Sequence, residues 1–336
     1  MQYVGMDVHL RTTTVCILDE NGRRVKRMEV RGSWQKLLGE LGRIQGVWQV
    51  CFEASCGYGW LYERLKVMAQ KVTVAHPGQL RLIFRSKRKN DRVDAEKLAK
   101  LLYLDEVPSV YVPSVEVRSW RAMIEHCQKL LGERTRAKNG LRALLRTHAI
   151  VAARRVWTKK GVVWIRAQEL PTLMDRLARD IPLERLESLG GMLRRVEEAL
   201  EQIAETNAGV KQLMEIPGVG IRTAEAVMAY VDDPQRFHSV KAAGGYFGLV
   251  PCQDQSAGKN RLGHITHQGP ATVRKLLTEA SWQGIRRSPR IRAYFERVRQ
   301  DNPERKKIAL VATAHYLLRV MLAMLRTGEV WRAEAA

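Results

Sequence analysis

The sequence lacks the cysteine pattern of a disulfide-stabilised or zinc-binding protein. Five cysteines, an odd number, occur in 336 residues, and no two of them stand in Cys-x-x-Cys spacing. Disulfide frameworks and structural zinc sites need paired or closely spaced cysteines. Cys16, Cys51, Cys56, Cys127 and Cys252 are therefore expected to be reduced core thiols of a cytoplasmic protein.

Long hydrophobic runs are also missing. The longest apolar stretch, 308–325, is interrupted by His315 and Arg319, so it predicts a buried helix and no membrane span. The first residues lack the charged-then-apolar layout of an export signal. No repeat at a solenoid period and no low-complexity segment occurs. A chain of this length predicts two or three folded domains.

Acidic residues are scarce relative to basic ones. The chain has 57 Lys and Arg against 35 Asp and Glu, which gives a net charge of +22. The excess runs through the predicted helices, and this favours an extended polyanion, because each neutralised phosphate releases counterions. A membrane surface is the rival partner, but no polybasic amphipathic segment with an aromatic face is present. A basic protein without such a partner is the remaining alternative.

The first hundred residues predict a mixed α/β sheet. Strand-like segments cover 2–9, 12–18, 25–30, 47–53 and 72–75, and helical patterns cover 33–41 and 57–68. Asn21-Gly22 is typical of a hairpin turn. The order β-β-β-α-β-α-β-α begins with antiparallel hairpins and continues with crossover units, which predicts a mixed sheet.

The rest of the chain predicts helices. Apolar steps of three and four in 117–148 and 183–203 predict two antiparallel helices or a coiled-coil arm, joined by an irregular basic segment at 154–163. Such a stripe forms either a core or an oligomer contact. A glycine-rich loop is predicted at 241–269, with closing helices at 271–285 and 303–325. We predict domains at 1–107, 108–208 and 209–336.

Four carboxylates form the first candidate site. Asp7 lies on the first predicted strand and Glu53 ends the fourth, while Asp91 and Asp94 open a helix. A carboxylate on an apolar strand needs a partner or a metal, because burial of an unpaired charge is costly. The first and fourth strands can be neighbours, so the four acids could hold two Mg²⁺ ions for phosphodiester chemistry. The alternatives are strand ends paired with arginine and acids that balance a helix dipole.

Basic residues surround the two helical acids. Between 81 and 92 there are six Arg or Lys and one acid, which predicts nucleic-acid contact rather than a solvated face. The candidate contacts are Arg85, Lys87, Arg88, Lys89 and Arg92.

The segment Ile216-Pro-Gly-Val-Gly220 lies between two helical patterns, at 213–232, and predicts a helix-hairpin-helix. Gly218 and Gly220 would let backbone N–H groups approach a DNA phosphate at the start of the next helix. Such contacts position a duplex without reading its sequence. A plain tight turn is the alternative.

A serine lies in the predicted glycine-rich loop. Ser256 stands beside Gly258, Lys259 and Arg261. A serine in such a setting can attack phosphorus if its proton is removed and cations hold the developing charge. The spacing equally allows a loop serine that is hydrogen-bonded locally.

Together these motifs resemble the DEDD transposases of the bacterial insertion sequence 110 and 1111 family, the bridge-RNA-guided recombinases, over essentially the whole chain. The resemblance implies a RuvC-type, RNase H-like first domain with Asp7, Glu53, Asp91 and Asp94 as its acidic quartet. It implies a coiled-coil segment and a mainly α-helical transposase domain containing the helix-hairpin-helix. Ser256 falls on the nucleophilic serine, although Ala257 follows it where the family often has glycine.

The resemblance also implies a mechanism and partners. Ser256 would form a covalent phosphoserine with DNA at a composite site that includes Mg²⁺ on the acidic quartet. DNA strands would then be exchanged and rejoined, with a structured non-coding RNA choosing the target. A dimer or tetramer is expected, acting in the bacterial cytoplasm at the nucleoid, with no membrane partner.

Two other functions fit the same residues. A metal-dependent junction-resolving nuclease would use the four acids with water as nucleophile, and Ser256 would be a bystander. A non-catalytic nucleic-acid scaffold would use the acids only structurally.

Overall fold

The computed structural model describes residues 1–83, 91–256 and 259–332, and within these ranges every side chain except those of residues 91, 92, 256, 259 and 260. The chain divides into two compact units, Met1–Val115 and Glu116–Ala336. The division into three domains at residues 107 and 208 stays a prediction.

Unit 1 contains five strands and four helices within its described residues. The strands are β1 (Gln2–Val8), β2 (Thr12–Leu18), β3 (Arg24–Arg31), β4 (Trp48–Glu53) and β5 (Lys71–Ala75), and the helices are α1 (Trp34–Leu41), α2 (Tyr58–Leu65), α3 (Pro77–Ile83) and α4 (Asp91–Tyr103). Ser33 caps α1 by accepting from the Lys36 backbone N–H. The predicted strands and helices of this unit are confirmed to within a few residues.

The five strands form one mixed sheet in the order β3-β2-β1-β4-β5. β1 pairs antiparallel with β2, as the sequence predicts, and parallel with β4, which the sequence allowed. Helices cover both faces. On one face, Leu37 of α1 and Leu61 of α2 join Met6 and Phe52 in one apolar cluster. On the other face, α4 packs through Leu98 against Cys51.

Unit 2 is mainly helical. Its helices are α5 (Val115–Thr147), α6 (Lys159–Arg166), α7 (Leu173–Thr206), α8 (Ala208–Met214), α9 (Ile221–Val231), α10 (Val240–Tyr246), α11 (Ala271–Arg287), α12 (Pro289–Arg299) and α13 (Lys306–Thr327). A two-stranded hairpin, β6 (Pro251–Ser256) and β7 (Lys259–Ile265), lies between α10 and α11. The helix α12 has no counterpart in the prediction, and α10 lies almost entirely in the segment 241–269 that was predicted as a loop.

The helices α5, α6 and α7 form what we call the helical arm. Glu133 of α5 pairs with Arg185 of α7 at 2.9 Å, and the later Leu141 clusters with the earlier Leu183. α5 and α7 are therefore antiparallel, as predicted, while a coiled coil in the strict sense stays a prediction.

The prediction of an irregular segment at 154–163 is wrong for its second half, which is helical. Helix α6 begins at Lys159 because Thr158 caps it, accepting from the Gly161 backbone N–H at 3.1 Å. Ile165 of α6 is completely buried against Leu141 of α5 and Leu183 of α7, and this packing stabilises the short helix.

The apolar run near the carboxyl end of the chain is the core helix α13, as predicted. The segment Pro303–Thr327 is long and apolar enough to cross a membrane by length and composition, but half of its apolar window is buried inside the protein. Ala314, Leu317, Leu318 and Met321 of α13 are fully buried in the main cluster of unit 2.

The prediction of core thiols is confirmed in part. Cys16, Cys51 and Cys127 are buried free thiols, but Cys56 is exposed and Cys252 is half-buried. Burial raises the pKa of the Cys51 thiol to about 12, so this group stays protonated and unreactive.

Candidate active site and nucleic-acid contacts

Asp7 and Glu53 lie on neighbouring strands of the sheet. The parallel register of β1 and β4 pairs Gly5 with Cys51 and Met6 with Phe52, so Asp7 and Glu53 follow at the same level. Met6 and Phe52 point into the cluster under α1 and α2, and side chains alternate along a strand. The two carboxylates therefore share the face of the sheet on which α4 lies.

Gly5 allows α4 to pack directly on this face. A Cβ atom at Gly5 would lie 2.2 Å from the Ala95 carbonyl oxygen and 2.3 Å from the Ala99 nitrogen. The backbones of β1 and α4 therefore touch, and only glycine fits. This glycine is one of the residues whose role we did not predict; a glycine inside a strand pattern is the signal that could have found it.

The direction of α4 brings its first turn towards the two strand acids. Ala95 and Ala99 lie over Gly5, while Tyr103, at the end of α4, stacks edge-on with Tyr3 at 5.3 Å. The helix thus runs antiparallel to β1, and its first turn lies beyond Gly5 on the side of Asp7. The start of α4 lies one helical turn, about 5 Å, before Ala95, and Asp7 lies roughly 6–7 Å beyond Gly5 along the strand. Because these two distances are similar, the start of the helix and Asp7 lie at about the same level.

Asp94 belongs to this first turn. Its carboxylate is 3.7 Å from the Lys97 ammonium, and the Asp7 carboxylate is 3.5 Å from the His9 Nε2. Both contacts are longer than a hydrogen bond. The Asp91 backbone begins α4, but its side chain lies outside the described part.

A further acid, Glu96, holds α4 against the edge of the sheet. Its carboxylate accepts from Arg24 at 3.0 Å and from Arg27, both on β3, and pairs with Lys100 at 3.3 Å. Burial tends to raise the pKa of Glu96, but the hydrogen bonds from Lys100 and Arg24 outweigh it and lower the pKa. The sequence prediction did not assign this role to Glu96.

The acids suit a hard cation by their donor chemistry. Carboxylate oxygens are the ligands that divalent cations such as Mg²⁺ prefer, and Asp7, Glu53 and Asp94 are each only partly buried. Within residues 1–83, 91–256 and 259–332, no three metal-ligating side chains converge on one point. The residues therefore fit a metal in their chemistry, and Asp7 and Glu53 share one face of the sheet.

The predicted basic contacts lie mostly beyond the described residues. Arg85, Lys87, Arg88 and Lys89 fall in the segment 84–90, which lies outside them, and only the backbone of Arg92 is described, inside α4.

Ser256 lies in a hairpin and not in a loop as predicted. It is the last residue of β6 and pairs with Lys259, the first residue of β7. The rest of β6 continues this antiparallel register with β7, from Gln255 opposite Asn260 to Pro251 opposite Ile265. Arg261 is exposed on β7 opposite Asp254, while the side chains of Ser256 and Lys259 lie outside the described part.

Arg274 of α11 fastens the base of this hairpin. Its Nη1 donates to the carbonyls of Phe247 and Gly269, each at 3.2 Å, and to that of Gln268. A two-stranded hairpin is marginally stable by itself, so contacts at its base decide where its tip lies. Sequence reasoning gave no role to Arg274, and no local pattern marks it.

The segment Ile216–Gly220 connects α8 and α9, as the helix-hairpin-helix prediction requires. The two glycines differ in role. Gly218 has a φ of +95°, and a Cβ there would lie 2.4 Å from the Gly284 backbone nitrogen of α11. Gly220 is exposed at the start of α9 with no neighbouring atom within 4 Å of such a Cβ. Gly218 thus serves helix packing, and Gly220 alone leaves a helix start open to a phosphate.

This difference predicts unequal effects of two alanine substitutions. Gly218→Ala should lower the free energy of unfolding by about 3 kcal/mol, because it adds left-handed backbone strain to a backbone clash. Gly220→Ala should cost no more than about 1 kcal/mol, the loss of a permissive capping residue. Thermal unfolding of the two proteins gives the comparison, and equal midpoints would contradict the packing role of Gly218.

Comparison with known families identifies both parts of the chain. Residues 4–150 match the family model of the IS110 DEDD transposases, described as "Transposase", and residues 210–296 match the family "Transposase IS116/IS110/IS902 family". The two matches together cover more than half of the chain and contain all four acids and Ser256. The chain belongs to the IS110/IS116/IS902 transposase family.

Relatives of the transposase extend over the same length. The chain is 27% identical to the transposase for insertion sequence element IS1111A of Coxiella burnetii, over 100% of this chain and 92% of that protein. It is 26% identical to a probable family 20 transposase of Pseudomonas aeruginosa, over 92% of this chain and 91% of that protein. A putative transposase of Sinorhizobium fredii, y4pF/y4sB, is 27% identical over 83% of this chain and 73% of its own length.

Family membership confirms the coarse part of the sequence predictions. The transposase is a DNA-processing enzyme of an insertion sequence, its DEDD domain implies a RuvC-like fold for the mixed sheet, and divalent metal ions are typical of DEDD transposases. The roles of the single residues stay predictions.

Proposed function

We propose that this transposase cuts, exchanges and rejoins DNA strands through a covalent bond between Ser256 and a DNA phosphate. The observation that carries the proposal is the placement of Asp7 and Glu53 side by side on the sheet face that α4 covers, with the first turn of α4 towards them. That is where an acidic site for phosphate chemistry would be formed, and the same chain carries a serine at a hairpin tip.

The serine step conserves the energy of the DNA backbone. The Ser256 oxygen forms a bond to phosphorus, its proton leaves, and the phosphorus–oxygen bond to one deoxyribose breaks, so that this hydroxyl is released with a proton. In the reverse step a hydroxyl of another strand attacks the phosphoserine and frees the serine. One phosphoester replaces another each time, so no nucleotide cofactor is consumed.

Asp7, Glu53, Asp91 and Asp94 would hold Mg²⁺, which when bound supplies positive charge beside the reacting phosphate. Lys259 pairs with Ser256 on the hairpin, and Arg261 follows two residues later on β7. Both would neutralise the phosphate that the serine attacks. Arg85, Lys87, Arg88, Lys89 and Arg92 would hold the flanking DNA backbone, and the α9 start at Gly220 would do the same.

The partners follow from what recombination requires. Two duplexes must be held together, so a dimer or tetramer is proposed, with the helical arm as the contact. Supporting this, Leu173, Leu177 and Ile181 are exposed at steps of four along one side of α7. A structured guide RNA is proposed from the family resemblance and the charge of +22. The place of action is the bacterial cytoplasm, at the nucleoid.

The test is to incubate the protein with DNA that carries the ends of its element and with the RNA transcribed from the flanking region. Denaturing gels then reveal a DNA–protein adduct. We expect an adduct and joined strands with Mg²⁺, and neither after chelation. Cleavage without any adduct would favour the water-using nuclease, and unchanged DNA under every condition would favour the scaffold.

A further inference from the structure

Two tryptophans form a pair at the carboxyl ends of β1 and β4. Trp34, the first residue of α1, and Trp60, in the first turn of α2, have ring centroids 5.9 Å apart with an angle of 32° between the planes. Trp34 is fixed in place, because its indole N–H donates to the His9 carbonyl at 3.1 Å. Gly57 has a φ of +80°, and a Cβ there would lie 2.5 Å from the Trp34 ring.

The pair is connected to the acidic residues by short contacts. His9, which holds Trp34 through its carbonyl, also places its imidazole 3.5 Å from the Asp7 carboxylate. Gly57, which lies against Trp34, ends the loop that begins after Glu53. The aromatic pair and the two strand acids therefore belong to the same edge of the sheet.

The two indoles differ in what they do for the fold. Trp34 packs against the core cluster under α1 and α2, whereas Trp60 remains 38% exposed. Leu10, in the β1–β2 turn that follows His9, is also exposed. The guanidinium of Arg64 lies 5.4 Å from the centre of the Trp60 ring and is itself exposed. An indole held by a second indole, with an exposed cation beside it, is the chemistry that binds an unpaired base and its phosphate.

We propose that Trp60 stacks an unpaired base of the DNA strand that runs to the acidic site, and that Arg64 then contacts the adjacent phosphate. Stacking of a base on an aromatic side chain contributes about two to three times as much binding free energy as an exposed cation–π contact does. The base therefore displaces Arg64 from the Trp60 ring, and the guanidinium stays close enough to pair with the phosphate.

A single strand is the required partner rather than a duplex. In a duplex the faces of the bases are stacked on their neighbours, and an indole can reach them only after the strand is opened. Strand exchange produces such unpaired DNA. The inference thus rests on the proposed function for the identity of the strand, but the contact itself is measurable without any cleavage.

The experiment measures binding of full-length protein to a fluorescent single strand of about 12 nucleotides, a length within the range of single-strand sites. Trp60→Ala should weaken binding roughly 5- to 100-fold, and Trp60→Phe should restore most of the affinity because a π face remains. Tyr111→Ala is the control, since Tyr111 is a 41% exposed aromatic residue outside the helical arm and outside the proposed nucleic-acid contacts, and its loss should leave binding unchanged.

An abasic nucleotide locates the contact. When the abasic nucleotide is placed at each position of the strand in turn, it should weaken binding to the wild-type protein at one position. At that position it should cause no additional loss of affinity for the Trp60→Ala protein. Equal affinities of wild type and Trp60→Ala, an equal loss for duplex DNA, or a loss confined to single-stranded RNA would each overturn the proposal. Absence of an adduct with the wild-type protein would refute the proposed function and leave the stacking result unchanged, because the strand-binding measurement involves no cleavage.

Discussion

Ser256→Ala should abolish the covalent DNA–protein adduct and the joined strands, while DNA binding persists. The substitution removes the only atom that can form the phosphoester in the proposed mechanism, and an alanine methyl group is unreactive. Loss of a nucleophile that acts together with its surrounding groups typically reduces turnover by several orders of magnitude, so we expect no product within the detection limit.

The matched control for this prediction is Ser109→Ala. Ser109 is an exposed serine in the segment that follows α4, so the same hydroxyl is removed from a surface with no proposed role in the chemistry or in the oligomer contact. It should form the adduct as the wild type does. If Ser256→Ala still cuts DNA at the wild-type rate without an adduct, water is the nucleophile and the acidic residues work as a nuclease site.

Gly5→Ala should destabilise unit 1 by about 4 kcal/mol or more, a large part of the stability of a typical domain. The added methyl group would lie within 2.3 Å of two backbone atoms of α4, and backbone in a buried helix cannot turn aside as a flexible side chain can. The helix must move away from the sheet. Asp94 would move with it, and a displacement of about 1 Å can cost roughly 100-fold in catalysis.

Gly39→Ala is the control for the same substitution in the same unit. Gly39 lies inside α1, where an added Cβ would have no atom within 4 Å, and alanine is the better helix former. It should stabilise unit 1 by up to about 1 kcal/mol. Hydrogen exchange of peptides from β1 and α4 measures both variants, and unchanged protection of these peptides in Gly5→Ala would contradict direct contact between strand and helix.

The two predictions separate chemistry from architecture. Ser256→Ala should leave exchange protection unchanged throughout the protein, whereas Gly5→Ala should alter it first in unit 1. Loss of the adduct in both variants, with loss of hydrogen-exchange protection only in Gly5→Ala, would support both assignments. Ser256 would then be the nucleophile, and Gly5 the residue that positions α4.

Sequence patterns determined the local structure of this transposase. The strands of unit 1 alternate or are rich in β-branched residues, Ser33 caps α1 as expected, and Ile216–Gly220 connects two helices. These features depend on interactions within a few residues, which a period or a capping residue records directly. The predicted mixed sheet allowed β1 and β4 to be neighbours, and the structure pairs them.

Tertiary structure decided the features that depend on distant partners. Gly5 is explained only by Ala95 and Ala99, and Gly218 is explained by Gly284 of α11 as well as by its own turn. The segment 251–265 looked like a loop because a two-stranded hairpin with exposed faces has no apolar alternation to reveal it, and Arg274 fastens it from a later helix. The sequence reveals the acids and glycines by their residue types. Which of them lie on the same face of a sheet or helix depends on how the helices pack, and no local sequence pattern records that packing.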